Sequence, residues 1–125
     1  MGKYARRYWP FIASGSVLLV AAIAIAFAAE PLDGLELHQN FPNPFSSSTE
    51  IRYSTPEPGH VLIHVMNAIG VEVQVLVNEA EFTGPHVARF DGSSYPSGHY
   101  TYVMEFTSDN DGSKSKLSKR MYLVR

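Results

Sequence analysis

His60 and His64 stand four residues apart, the spacing at which two imidazoles on one helix face converge on a single metal ion. The residues around them read as a strand, where four steps separate the two rings by ~13 Å, so they share a face and cannot share an ion. His38, His86 and His99 are each isolated, and all five histidines are expected as exposed or hydrogen-bonded groups with no metal among them. Asp109-Asn110-Asp111-Gly112-Ser113 offers the carboxylates of a calcium loop. An EF-hand also needs Gly at the sixth position and Glu at the twelfth, and counted from Asp109 those places hold Lys114 and Arg120. The segment reads instead as the turn of the last hairpin, with Asp-Gly at its tip. Ser, Asp and His all occur, but without a Gly-x-Ser-x-Gly elbow or an ordered nucleophile and base, and no glycine-rich phosphate loop follows a strand. The absence of cysteine removes thiolate catalysis, cysteine-ligated zinc, iron–sulfur clusters and haem attachment. These residues point to a non-enzymatic module with no catalytic residues, no cofactor and no small-molecule substrate. A small metal-dependent enzyme is the remotest alternative.

Lys114, Lys116, Lys119, Arg120 and Arg125 form a C-terminal run that contains no acid. Near a membrane each base contributes about 1 kcal/mol of attraction to anionic headgroups, so Lys114, Lys116, Lys119 and Arg120 are candidates for contact with an anionic partner. The alternative is a solvated edge strand whose lysines discourage edge-to-edge aggregation.

The elements that hold these residues must fit in 125 residues with ten bases and twelve acids. A formal charge of −2 gives no pull toward nucleic acid. The charge is unevenly placed: residues 1–29 hold Lys3, Arg6 and Arg7 and no acid, which leaves residues 30–125 with net charge −5. A domain this small buries one modest core and has no room for a large enclosed site.

From Phe11 to Ala29 run 19 uncharged residues, roughly 28 Å as a helix, which nearly spans a bilayer. The segment also suits a signal peptide, with a basic n-region and Ala26-Phe27-Ala28 at the cleavage positions. The apolar length, the interfacial cluster of Tyr4, Tyr8 and Trp9, and Pro10 in a first helical turn favour a retained anchor. Arg6, Arg7, Tyr8 and Trp9 would then mark the cytoplasmic interface, and the domain beyond Glu30 would be periplasmic. Ala22, Ala26 and Ala29 make a small-residue stripe on which another helix could pack.

After Pro31 the period changes to two. Ile51 and Tyr53, then Val61, Ile63 and Val65, then Val71, Val73, Val75 and Val77, then Tyr100, Tyr102, Met104 and Phe106 alternate with mostly polar residues, and Leu117–Val124 closes the chain with a mixed pattern. Short strands fit around Leu35–His38 and His86–Phe90. Turns are expected at Pro42-Asn43-Pro44, Pro56–Gly59, Ile69-Gly70, Thr83-Gly84-Pro85, Asp91-Gly92, Pro96-Ser97-Gly98 and Asn110–Gly112. About seven short strands separated by such turns predict an all-β antiparallel sandwich. The expected organisation is an anchor or leader over 1–29, a linker over 30–34 and a sandwich over 35–125.

Within that sandwich, Leu37-His38-Gln39-Asn40-Phe41-Pro42-Asn43-Pro44-Phe45 followed by Ser48-Thr49-Glu50-Ile51-Arg52-Tyr53 resembles the opening L-x-Q-N-Y-P-N-P-F-N-P-S-T-x-I-x-Y of C-terminal sorting domains of the type IX (Por) secretion system. It is also similar to the related domain of flagellar hook-capping proteins. The likeness continues through Gly70, Gly98 and Tyr100 to Lys119–Arg125, so Asn40, Pro42, Asn43, Pro44, Phe45, Gly70, Gly98 and Tyr100 carry the motif. Ser46-Ser47, Asn67 and Val71 depart from the family's Asn-Pro, Asp and Arg. The resemblance implies a seven-stranded immunoglobulin-like sandwich and a role in export. Physically, two prolines fix φ within Phe41–Phe45 while the aromatics cap one end of a sandwich, so the segment locks the start of the first long strand.

A sorting domain follows a large cargo, whereas here a membrane-like segment ends about six residues before the domain. The leading expectation is therefore an accessory subunit whose helix and periplasmic sandwich pack on other membrane-protein subunits, with a respiratory or photosynthetic assembly as one conceivable host. The alternative is an exported type IX sorting module or surface adaptor with a cleaved leader.

Overall fold

From Tyr100 to Phe106 every second side chain is aromatic or methionine, and an extended strand with one face on a core buries all of them together. The computed structural model describes residues 32–125 and places seven strands there. They are β1 (Glu36–Leu37), β2 (Ser48–Thr55), β3 (Gly59–Asn67), β4 (Glu72–Glu81), β5 (Gly84–Asp91), β6 (Gly98–Ser108) and β7 (Lys114–Leu123). All pair antiparallel, in a three-stranded sheet β1-β2-β5 and a four-stranded sheet β4-β3-β6-β7. The expected all-β sandwich is present, and Tyr100, Tyr102, Met104 and Phe106 face its core with Ile51, Tyr53, Val61, Ile63, Val65 and Phe90.

The anchor expected over residues 1–29, with Arg6, Arg7, Tyr8, Trp9, Ala22, Ala26 and Ala29, lies outside the described residues. Among the described residues no helix is long and apolar enough to cross a membrane. Leu32, in the stretch expected as a linker, packs against the core, and its N–H donates to Ser115 Oγ at 3.3 Å.

Three local expectations are corrected. Val71, Val73, Val75 and Val77 do not share an inward face: Val71 precedes β4, and the β3–β4 register slips between Ile63 and His64 and again between Val65 and Met66. These irregularities take Leu76 and Val73 out of register and leave Val73, Leu76 and Val77 half-buried while Val75 is 45% exposed. Gly84 and Pro85 do not form a turn but open β5, an edge strand, where a missing N–H is tolerated. Val103, which alternation places on the outward side of β6, lies on that side between His64 and Ser118 in register and is nevertheless only 3% exposed.

Candidate functional site

Burying Tyr102 at the centre of β6 obliges its hydroxyl to find partners. It donates to His38 O at 2.7 Å and accepts the Asn40 N–H at 2.9 Å, tying the segment before β2 to the opposite sheet. Burial pushes its pKa up to about 12, opposed by the Asn40 N–H, which would favour a phenolate. From this hub the Asn40 side chain, 2% exposed, donates to Pro42 O at 3.1 Å and Thr49 Oγ1 at 2.9 Å. The Thr49 hydroxyl in turn donates to Pro42 O at 2.8 Å. Phe41-Pro42 and Asn43-Pro44 are cis peptides, and the loop meets the end of β7 at a parallel bridge between Phe45 and Leu123. There Asn43 Oδ1 accepts the Tyr122 N–H at 3.0 Å, the Phe45 N–H donates to Tyr122 O at 3.0 Å, and the Val124 N–H donates to Phe45 O at 2.9 Å. Gln39 Nε2 adds bonds to Asn40 Oδ1 at 2.8 Å and Arg120 O at 2.7 Å. The Phe45 ring is buried edge-on to Phe90, 5.9 Å between centroids. Asn40, Pro42, Asn43, Pro44 and Phe45 thus form one clasp joining the start of β2 to the end of β7.

The other motif residues shape the same end of the sandwich. Gly70, with φ +86°, closes the β3–β4 turn, in which Asn67 Oδ1 accepts the Ile69 and Val71 N–H groups at 3.1 and 3.0 Å. Asn67 therefore supplies the acceptor that an Asp would supply. Gly98, with φ +155°, starts β6 in a backbone region that L side chains rarely adopt. The buried Tyr100 donates its hydroxyl to Pro96 O at 2.7 Å. Arg125 Nη2 donates to Gly92 O at 2.6 Å and to Tyr95 O, and its backbone N–H donates to Ser97 Oγ at 3.0 Å.

The candidate basic contacts divide. Lys114, Lys116 and Arg120 project outward from β7, whereas Lys119 faces the other way, in register with Tyr102. His60 and His64 both lie on the outward side of β3. His60 Nε2 lies 2.6 Å from Asn78 Oδ1. His64 sits between two carboxylates, with Nδ1 3.1 Å from Glu72 and Nε2 3.4 Å from Glu105, on opposite sides of its ring. Among the described residues no group of three or more metal-ligating side chains converges. A groove of about 490 Å³ bordered by His38, Arg52, Ser54, Pro85 and Val87 lies on the three-stranded sheet. Its polar side chains have local partners, Arg52 at 3.5 Å from Glu50 and His38 at 3.2 Å from Glu36.

Several residues that build this arrangement escape motif reading. Gln39 and Thr49 sit inside the motif, and their polar side chains beside buried neighbours are a signal for them. Tyr102 is signalled only by carrying, like Tyr100, a hydroxyl in an inward-facing row. Tyr53 and Glu81 carry no such signal: the Tyr53 hydroxyl donates to Glu81 Oε1 at 2.8 Å, and burial together with that bond raises the phenol's pKa. His86 stacks on Tyr53 at 5.1 Å and places Nδ1 3.4 Å from the same carboxylate.

No curated protein matches the chain at a significant level. The profile of the secretion system C-terminal sorting domain matches residues 39–124, from Gln39 in the clasp to Val124, the residue after β7. The chain belongs to the family of secretion system C-terminal sorting domains.

Proposed function

We propose that residues 32–125 act as a folded, non-enzymatic export signal that directs its chain through a type IX secretion system to the cell surface. The observation that carries this reading is the family match over residues 39–124, which coincides with the residues that assemble the clasped end of the sandwich. A sorting signal needs a rigid surface that machinery can recognise, and a small sandwich whose loops are held by buried hydrogen bonds meets that need without a pocket or a nucleophile. The sandwich is of the immunoglobulin-like kind. Its order 1-2-5 facing 4-3-6-7 is that of a constant-type immunoglobulin domain with the fourth strand moved from one sheet to the other. Its partners on this reading are proteins of the export machinery, and no metal or cofactor takes part.

The test is to express the full chain in a bacterium with a functional type IX system and in an isogenic strain lacking it. The chain should reach the surface or medium only in the first strain and accumulate in the periplasm of the second. An identical distribution in both strains would overturn the reading.

A further inference from the structure

Five of the seven bases in residues 30–125 fall within residues 114–125, although residues 30–125 as a whole carry net charge −5. The strand register arranges them more sharply than their order in the chain. On the outward side of β7, Lys114, Ser118, Arg120 and Lys116 are all exposed, and the three bases span ~20 Å at ~3.4 Å per residue. In register beside them on β6 and β3 run Thr107 and His60, Glu105 and Leu62, Val103 and His64, Thr101 and Met66. Glu105 is the one acid opposite the row, paired in register with Lys116, yet its carboxylate lies 3.4 Å from His64 Nε2 on the other side. Among the described residues none of Lys114, Lys116 or Arg120 is in an ion pair. The outward face of the three-stranded sheet differs: Arg52 pairs with Glu50 and Arg89 Nη2 donates to Ser48 Oγ at 3.0 Å.

We propose that the outward row of Lys114, Lys116 and Arg120, with the half-buried apolar pair Leu62 and Met66 of β3 on the same face, docks on an acidic protein surface of the export machinery. The inference rests on the sorting reading and names the face that reading leaves open. Charge complementarity sets the sign of the partner, because unpaired bases on an otherwise acidic domain steer it toward acid. The apolar pair favours a protein over a lipid surface. Three bases at about 1 kcal/mol each give about 3 kcal/mol on an anionic bilayer, weaker than millimolar binding, whereas an apolar centre with a charged rim is the anatomy of a protein interface. Four strands and ~20 Å of length offer roughly 300 Å², the size of a transient contact.

The experiment uses the full chain in its export-competent host and follows its appearance outside the cell by pulse-chase. The variant K114E/K116E/R120E should slow export about tenfold, the neutral K114Q/K116Q/R120Q about threefold, and K114R/K116R not at all. R52E/R89E, which reverses bases on the other sheet, should stay within about twofold of wild type. Thermal unfolding of each purified chain should match wild type, which separates a lost contact from a lost fold. Export of the reversed row at the wild-type rate would overturn the proposal. So would binding of the wild-type chain to phosphatidylglycerol vesicles that the row variants lose in parallel with export, since the partner would then be lipid. The sorting reading fails by a different result: export that persists in the strain without the secretion system.

Discussion

β4 and β7 are ten-residue edge strands of the same sheet, yet they differ in almost every physical respect. β4 is rich in Val and Leu and buries none of its side chains fully, whereas β7 carries four bases and buries Met121 and Leu123 completely. The difference follows from what lies over each edge. The clasp covers β7 at Arg120 and Tyr122, and Val124 just after it, with backbone and side-chain bonds from Gln39, Asn43 and Phe45. β4 receives the Tyr95 hydroxyl at Val73 O, 3.0 Å away, and slips register twice along its length. An edge strand keeps its alternation when something external holds it to the pleat, and hydrophobicity alone does not do so.

Removing the hub should make the end of β7 behave like β4. Tyr102→Ala deletes a fully buried aromatic and should destabilise by about 3–5 kcal/mol in equilibrium unfolding. Tyr102→Phe keeps the ring and leaves His38 O and the Asn40 N–H without their partner, for about 1–3 kcal/mol. Asn40→Ala should cost about 1–2 kcal/mol by removing a buried amide with its bonds to Pro42 O and Thr49 Oγ1, and should raise hydrogen exchange at the Tyr122 and Val124 amides more than at β4 amides. If β7 amides stayed protected in Asn40→Ala, the clasp would not be what orders that edge.

Alkaline pH offers a milder way to loosen the same hub. The Tyr102 phenol has its pKa raised by burial to about 12, above the value of about 10 expected in the unfolded chain. Its contribution to stability is complete below about pH 10 and is lost as pH rises through about 12, because the unfolded chain releases the proton first. Tyr53, raised by burial and its bond to Glu81, acts in the same direction. Unfolding midpoints measured across that range should fall steeply for wild type and less steeply for Tyr102→Phe. Parallel slopes would show that the hub hydroxyl is not coupled to folding.

The parts of this molecule that can be read from sequence are those written in local spacing. Tyr100 to Phe106 alternates because its inward face meets the other sheet along its whole length, so its register is plain in the residues themselves. The Asn40–Phe45 motif can be read as a lock on the first long strand because proline and asparagine constrain their own backbone. The far half of that lock lies 62 to 64 residues away at Tyr102, and nothing in the local pattern joins the two. Lys119 falls among three outward bases and points the other way, because a strand alternates while a run of charges does not. The slips in β4 depend on how its partner β3 pairs, a property of two strands together.

The smallest effect expected is also the sharpest test of that last point. Strict alternation through Val73, Val75 and Val77 puts Val75 inward and Leu76 outward. The observed register puts Val75 opposite the outward His64 and turns Leu76, the residue the slip leaves over, toward the core. Val75→Ala should therefore change stability by less than about 0.5 kcal/mol, the range of an ordinary exposed position. Leu76→Ala should cost about 1–2 kcal/mol, less than a fully buried leucine because the side chain keeps some contact with water. Both substitutions shorten a side chain without adding a polar group, so the ranking reports which residue faces the core. The reverse ranking in equilibrium unfolding would mean that β4 runs unbulged in solution, and the contrast between the two edges of the sheet would reduce to the clasp alone.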